Sequence, residues 1–301
     1  MLFRSWLPVG VSLMAALNSG MDYLMQPSST IKYGAVLTLG ILSWLVVYPW
    51  VTRIAAPFYR RLNVYTVYEY LEARFDVRVR ALGAAIFVAW RLGWMATAMY
   101  VPSLAINAAS GGTVDLNSVT IAVGTLVTIY TMLGGIQAVI WNDVFQFCIM
   151  FGGLAATVAI AIVSVPGGLA QIIAVSADAG KLNLWPPLVD PAAVTVLDQL
   201  ASFLAQPMTA VSLLIALVVG RLAQYTSDQV LVQRLQTTRS VADTRRAFVV
   251  NAAGDALWMV GLSFVGLALF AYFKVHPLPA EFQTDRLLPY FMSLAFPAGA
   301  V

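Results

Sequence analysis

The apolar positions of this chain gather into runs of about 20 residues or more, separated by short polar clusters. Runs of that length cross the roughly 30 Å hydrocarbon core of a bilayer as helices. The pattern predicts seven spans, near 5–32, 34–56, 81–109, 118–136, 144–165, 201–233 and 247–273. An eighth begins near Arg286 and runs to Val301. The first run continues past the length of a secretory signal and lacks a small-residue cleavage pattern, so no signal peptide is expected.

Two of the runs are interrupted. In the first, Leu13-Met14-Ala15-Ala16-Leu17 gives way to Asn18-Ser19-Gly20-Met21-Asp22, with Gln26-Pro27 beyond. In the sixth, Val218-Val219-Gly220 gives way to Arg221-Leu222-Ala223-Gln224-Tyr225-Thr226-Ser227-Asp228-Gln229. Backbone that leaves the helix at membrane depth is tolerated only where it lines a cavity or is buried in protein. Carbonyls exposed at such a break can coordinate a cation, and half-helix ends can face charges on a solute. The broken spans lie five apart, and an odd repeat length gives two copies opposite orientations in the membrane. The expected division is therefore one transmembrane domain over 1–301, with a five-helix repeat over 1–165 and an incomplete second repeat over 201–301.

Composition agrees with lipid as solvent. The chain is 60% hydrophobic and only 10% charged, with a mean hydropathy of +0.81, whereas soluble domains carry about 25% charged residues. The net charge of +3 does not form one patch, so nucleic acid is not an expected partner. The basic residues instead give an orientation. Arg53, Arg60, Arg61, Arg74, Arg78 and Arg80 fall between the second and third spans, and Arg234, Arg239, Arg245 and Arg246 between the sixth and seventh. With Arg4 they occupy one side, against Lys32, Lys181, Lys274 and Arg286 on the other. Positive loops stay in the cytoplasm, which places the amino terminus there; the expected location is a plasma (inner) membrane. The outside loop 166–200 carries a short interfacial helix at 168–176 and an interface Trp185. Cys148 stands alone in mid-span, so no disulfide can form within the chain.

Asp22, Arg91, Arg221, Asp228 and Asp255 fall within or near the spans, and Asp143 at the mouth of the fifth. Each unpaired charge at the bilayer centre costs about 2.5–3.5 kcal/mol, so these groups pair with one another or face water. Internal pairing of Arg91 or Arg221 with Asp255 is one reading; a polar solute cavity with an ion path is the other. Arg91, about one turn into the third span, offers a planar donor fork suited to a carboxylate. Snorkelling to the cytoplasmic edge is its alternative use.

Three motifs in order carry a resemblance. They are Thr66-Val67-Tyr68-Glu69-Tyr70-Leu71-Glu72-Ala73-Arg74-Phe75, the segment 130–146 (Tyr-Thr-Met-Leu-Gly-Gly-Ile-Gln-Ala-Val-Ile-Trp-Asn-Asp-Val-Phe-Gln), and Asp228-Gln229-Val230-Leu231-Val232-Gln233-Arg234. Together they resemble the sodium:solute symporter family, whose members carry sugars, proline, sialic acid and other carboxylates. The resemblance implies an all-α polytopic membrane protein of the leucine-transporter inverted-repeat fold, with the first repeat and part of the second present. It implies sodium as coupling ion, no other cofactor, and a small organic solute, with a lean to a carboxylate or sugar. Carried over by position, the backbone carbonyls of Ala15 and Asn18 hold sodium and Asp143 lies on its exit route or at a second site. Ser19, Asp22, Arg91, Gln224, Tyr225 and Asp255 are the expected solute positions.

The family's Ser/Thr pair on the eighth core helix is expected beyond Val301, so the chain is expected to be a fragment that cannot couple sodium alone. A transporter-like sensor domain and a nonfunctional truncated product are the alternatives. No metal-protease motif, nucleophile elbow or phosphate loop occurs, and the lone His276 sits in an outside loop. An enzyme is not expected. Solute identity and oligomeric state are not legible.

Overall fold

The structure is a computed structural model, described here for residues 5–62, 64, 66–109, 113–187, 194–205, 208–277 and 287–296. Among these residues every regular element is helical. The helices are α1 (Trp6–Leu17), α2 (Gly20–Tyr33), α3 (Trp44–Trp50), α4 (Ala56–Leu62), α5 (Val67–Arg74), α6 (Val77–Ala109) and α7 (Leu116–Ser164). They continue with α8 (Gly168–Asp178), α9 (Val196–Ala205), α10 (Ala210–Ser227), α11 (Gln229–Thr237), α12 (Val241–Val275) and α13 (Leu287–Ala295). A 3-10 stretch over Gly34–Ser43 and a π turn over Val51–Ala55 complete the second span. Among the described residues, five helical stretches are long and apolar enough to cross a membrane, including Gly20–Leu62 and the 49-residue α7. Large apolar side chains point outward along them, such as Leu82, Ile86 and Trp90 at one-turn spacing on α6, each more than 60% exposed. A chain that uses lipid as solvent can present such a face.

Several boundaries differ from expectation. The fourth and fifth spans join in α7 with one non-helical residue, Gly135 (φ +56°, ψ −156°). Only glycine adopts that backbone readily. A straight helix would separate Tyr130 from Asn142 by about 18 Å, yet the Asn142 amide donates to the Tyr130 hydroxyl at 3.3 Å. The chain therefore doubles back at Gly135, and residues 137–143, expected in a polar turn, are helical. The sixth span is preceded by a separate α9 and does not unwind at Gly220, because α10 runs through Arg221 to Ser227. Its break is the single residue Asp228, in extended conformation. The first break is Asn18-Ser19 alone; Gln26 and Pro27 lie inside α2. The interfacial helix expected at 168–176 is α8. Arg4, Arg286 and Pro297–Val301 lie outside the described residues, so the start and end of the eighth span are not seen.

The chain divides into two compact units, each of three segments: unit 1 holds Met1–Met21, Tyr48–Met150 and Leu222–Gly254, and unit 2 holds Asp22–Val47, Phe151–Arg221 and Asp255–Val301. Unit 1 has a core of Val9, Leu13 and Met14 from α1 with Ile140, Tyr225, Leu231 and Phe248, all at 0% exposure. Here α1 lies against α12: a Cβ on Gly10 would stand 2.4 Å from the Ala247 carbonyl oxygen. Unit 2 is built around Trp258, whose ring meets Tyr23 edge-on at 5.1 Å and Phe151 at 5.5 Å. The Gln26 amide ties α2 to the Met259 carbonyl at 2.6 Å.

Candidate functional site

Helix α1 stops at Leu17 because Asn18 turns extended (φ −109°, ψ 144°). Its amide and its side-chain Nδ2 both donate to the Met14 carbonyl, at 3.1 and 3.0 Å. The last carbonyls of a helix have no intrahelical donor, and here the residues that carry them border a cavity of about 350 Å³. Ala15, Asn18 and Ser19 line it with Trp94 and Ala98 of α6 and Gln146 of α7. The Ser19 hydroxyl accepts from the Met21 amide at 3.2 Å, which ties the residue to the start of α2. None of the residues lining the cavity is charged, and neutral oxygens are a set that suits a hard monovalent cation. Among the described residues no cluster of three or more His, Cys, Asp or Glu occurs.

Asp143 is not at a helix mouth. It lies inside α7 at 6% exposure, where its Oδ2 accepts from the Ser12 hydroxyl at 2.5 Å and from Arg234 Nη2 at 2.9 Å. Arg234 Nε also donates to Ser12 Oγ at 2.8 Å, and Nη1 donates to the Val230 carbonyl at 3.0 Å. Arg234, expected in a cytoplasmic loop, is thus a buried charge partner on α11. Arg91 pairs with Asp228 and stands 5.6 Å from the Phe87 ring centre. Its buried Nε makes no hydrogen bond. Asp228 caps α11 as well, its Oδ1 accepting from the Val230 amide at 2.8 Å.

The break at Asp228 is gripped from several helices of unit 1. Tyr59 donates to the Thr226 carbonyl, Trp50 Nε1 donates to the Thr226 hydroxyl at 3.1 Å, and the Val67 amide donates to Gln229 Oε1 at 2.9 Å. Tyr68 donates to the Ser227 carbonyl at 3.4 Å. Burial, with the Asp228 carboxylate adding to it, pushes the Tyr68 phenol up to about 12, so it remains a donor at neutral pH. Of the other expected solute positions, Tyr225 is fully buried and its hydroxyl accepts from Asn251 Nδ2 at 2.6 Å, while Gln224 is exposed. In unit 2, Asp22 accepts from Trp258 Nε1 at 3.3 Å. Asp255 binds Arg221 at 2.5 Å and accepts from Trp44 Nε1 at 2.9 Å. Of the two pairings expected for Asp255, the structure has the one with Arg221.

The expected residues thus fall into separate groups. Ala15, Asn18 and Ser19 share the cavity, whereas Asp143, Arg91, Tyr225, Asp22 and Asp255 each have partners of their own. Sequence reading passed over Ser12, Ser43 and Asn251, single polar residues in apolar runs, and over Trp94 and Gln146, which only folding brings to the broken helix.

The sodium:solute symporter family model matches residues 4–289. The chain belongs to the sodium:solute symporter family. That family is one of transporters, not of enzymes. The sodium/sialic acid symporter SiaT of Proteus mirabilis is 30% identical over 295 residues, covering 96% of this chain and 56% of the relative. The human sodium-coupled monocarboxylate transporter 1 is 30% identical over 290 residues, covering 95% and 45%. A solved structure of a Na+-coupled sialic acid symporter, substrate-bound and outward-open, superposes with a TM-score of 0.86 at 29% identity, covering 99% of this chain and 61% of that one. The chain therefore has the all-α polytopic fold of that symporter, and it spans about half the length of the curated relatives it matches.

Proposed function

We propose that this chain supplies an ion-binding site of a sodium-coupled symporter for a small organic solute, working by alternating access. The observation that carries this is the broken α1, whose terminal residues line the 350 Å³ cavity with Asn18 and Ser19 of the break. Sodium takes the carbonyls of Ala15 and Asn18, because neutral oxygens replace its hydration shell without adding charge. Ser19 stands beside the ion on the solute side. Asp143, tied through Ser12 to the same helix, gives the ion a carboxylate on its way to the cytoplasm when the Arg234 contact loosens.

Relatives named for sodium-coupled carriage of sialic acid and monocarboxylates support sodium coupling. The basic residues support a cytoplasmic amino terminus. Arg53, Arg60, Arg61, Arg74, Arg78, Arg80, Arg239, Arg245 and Arg246 lie in segments expected on the side of the amino terminus, and Lys32, Lys181 and Lys274 in segments expected opposite. Positive charge is retained in the cytoplasm of a plasma (inner) membrane. The repeat division at 1–165 and 201–301 accounts for two breaks five spans apart, at Asn18-Ser19 and at Asp228.

The test is binding of labelled glucose, lactate, sialic acid and proline to the purified chain in proteoliposomes, in sodium against equal potassium. Binding of any one that collapses without sodium supports the proposal. Binding equal in the two salts, or none, contradicts it.

A further inference from the structure

We propose that the corner of unit 2 where the chain leaving α8 meets the ends of α2 and α12 binds the phosphate of an anionic phospholipid, with Lys181 and Lys274 as its cationic donors. This site stands apart from the sodium reading and does not depend on it. The Lys181 ammonium lies 5.5 Å from the centre of the Phe270 ring, and the Lys274 ammonium 5.2 Å from the same centre. An aromatic face attracts a cation, but two cations gathered at one ring also repel each other. Among the described residues neither lysine forms an ion pair with a carboxylate. An anion shared between them completes the arrangement.

The backbone of Lys181 is fixed from two sides. Its amide donates to the Ser176 carbonyl of α8 at 2.8 Å, and its carbonyl accepts from the Ala35 amide at 2.7 Å. Gly34, at φ +78°, makes that approach possible, since a Cβ there would stand 2.7 Å from the Lys181 carbonyl oxygen. The lysine is therefore presented from a set position, which lowers the cost of ordering it around a ligand.

Helix ends account for part of this charge. Lys181 Nζ donates to the Lys32 carbonyl in the last turn of α2 at 3.1 Å, and Lys274 lies in the last turn of α12. Cations are favoured at such ends. Each ammonium nevertheless carries three N–H donors, and the Lys32 carbonyl takes only one of them. The surroundings then choose between a lipid and a soluble anion. The apolar stretch of α12 ends at Val275, so Lys274 stands where a span gives way to headgroups. Leu182, Leu184, Trp185 and Val275, next to the lysines along the chain, are each more than a third exposed. Such side chains suit acyl chains, and tryptophan favours the same depth. A zwitterionic headgroup answers its phosphate with its own ammonium; an anionic one leaves its charge for the lysines.

The test is hydrogen–deuterium exchange of the purified chain in nanodiscs of phosphatidylcholine containing graded fractions of phosphatidylglycerol. Phosphatidylglycerol should slow exchange of the amides over 178–185. Lys274→Gln, on a different helix, should raise the phosphatidylglycerol fraction that gives half of this protection about fivefold, the preference one ammonium supplies near an anionic surface. Lys274→Arg should leave it unchanged. Equal exchange with and without phosphatidylglycerol overturns the proposal, as does protection that survives Lys181→Gln combined with Lys274→Gln. Glycerol 1-phosphate is added to pure phosphatidylcholine discs as the soluble counterpart. Equal protection by it would assign the corner to a free phosphate and overturn the lipid.

Discussion

Each unit buries one guanidinium against one carboxylate, and the two pairs are built differently. In unit 2, Arg221 is used on every side: Nη1 donates to the Gly40 carbonyl at 3.0 Å and to the Ser43 hydroxyl, Nη2 to Asp255, and the guanidinium lies 4.5 Å from the Trp44 ring centre. The Trp44 indole also donates to Asp255, so one side chain stacks on the cation and binds the anion. In unit 1, Asp143 shares a single oxygen, Oδ2, between Arg234 and a serine hydroxyl on the broken helix α1. The first pair is closed on itself. The second reaches, through Ser12, the helix whose last residues line the cavity. Equal burial of charge therefore does not mean equal use: the unit 2 pair holds structure, and the unit 1 pair is placed to answer events at the break.

The largest effect that would break this contrast is in unit 2. Arg221→Ala leaves Asp255 buried without its cation and should cost about 3–5 kcal/mol, the usual penalty for removing one partner of a buried pair. Arg221→Met with Asp255→Leu should recover most of that loss in the unfolding midpoint. A double variant no better than the single would show that the pair is not what holds the helices. Next comes the hairpin: Gly135→Ala forces a Cβ into a positive-φ backbone and should cost about 1–3 kcal/mol, read by the same midpoint. In unit 1, Ser12→Ala removes hydrogen bonds to Asp143 and Arg234 and should cost about 1.5–3 kcal/mol. The contrast predicts that it also weakens the stabilisation of the purified chain by sodium over potassium in thermal unfolding, which Arg221 substitutions that still fold should not.

The smallest effect lies outside the membrane. Asp115 caps α7, its carboxylate accepting from the amide of Ser118 at 2.9 Å and from its hydroxyl at 3.1 Å. Those bonds hold its carboxyl below the ordinary aspartate range, the backbone bond foremost. With the folded value below the unfolded one, the cap contributes fully above the unfolded pKa of about 4. The contribution is lost as pH falls through the lower, folded value. Asp115→Ala should flatten the acid limb of the stability profile slightly. An unchanged limb would remove the cap from the account.

What was legible beforehand follows from which forces are local. The long apolar helices α6, α7 and α12 were legible from the lengths of their runs, because lipid demands about 20 residues whatever the neighbours do. The break in α1 was readable from Asn18-Ser19-Gly20, since local composition makes it. The break at Asp228 was harder to place, because Arg221 looked out of keeping in an apolar run. Folding supplies Asp255, Ser43 and Trp44, and with them Arg221 stays in a helix. Arg234 was misplaced for the same reason. Loop arginines and buried arginines look alike in sequence, and only Asp143, 91 positions away, distinguishes this one. Trp94 and Gln146 carried no signal at all, since only the approach of α6 and α7 to the end of α1 gives them a common cavity.

The central claim is that the end of α1 is a sodium site, and hydrogen–deuterium exchange of the purified chain tests it most directly. In sodium, against equal potassium, the account predicts slower exchange of the amides from Asn18 to Met21, with no change across Gly40–Ser43 beside the closed Arg221 pair. Equal exchange over 18–21 in the two salts would contradict it.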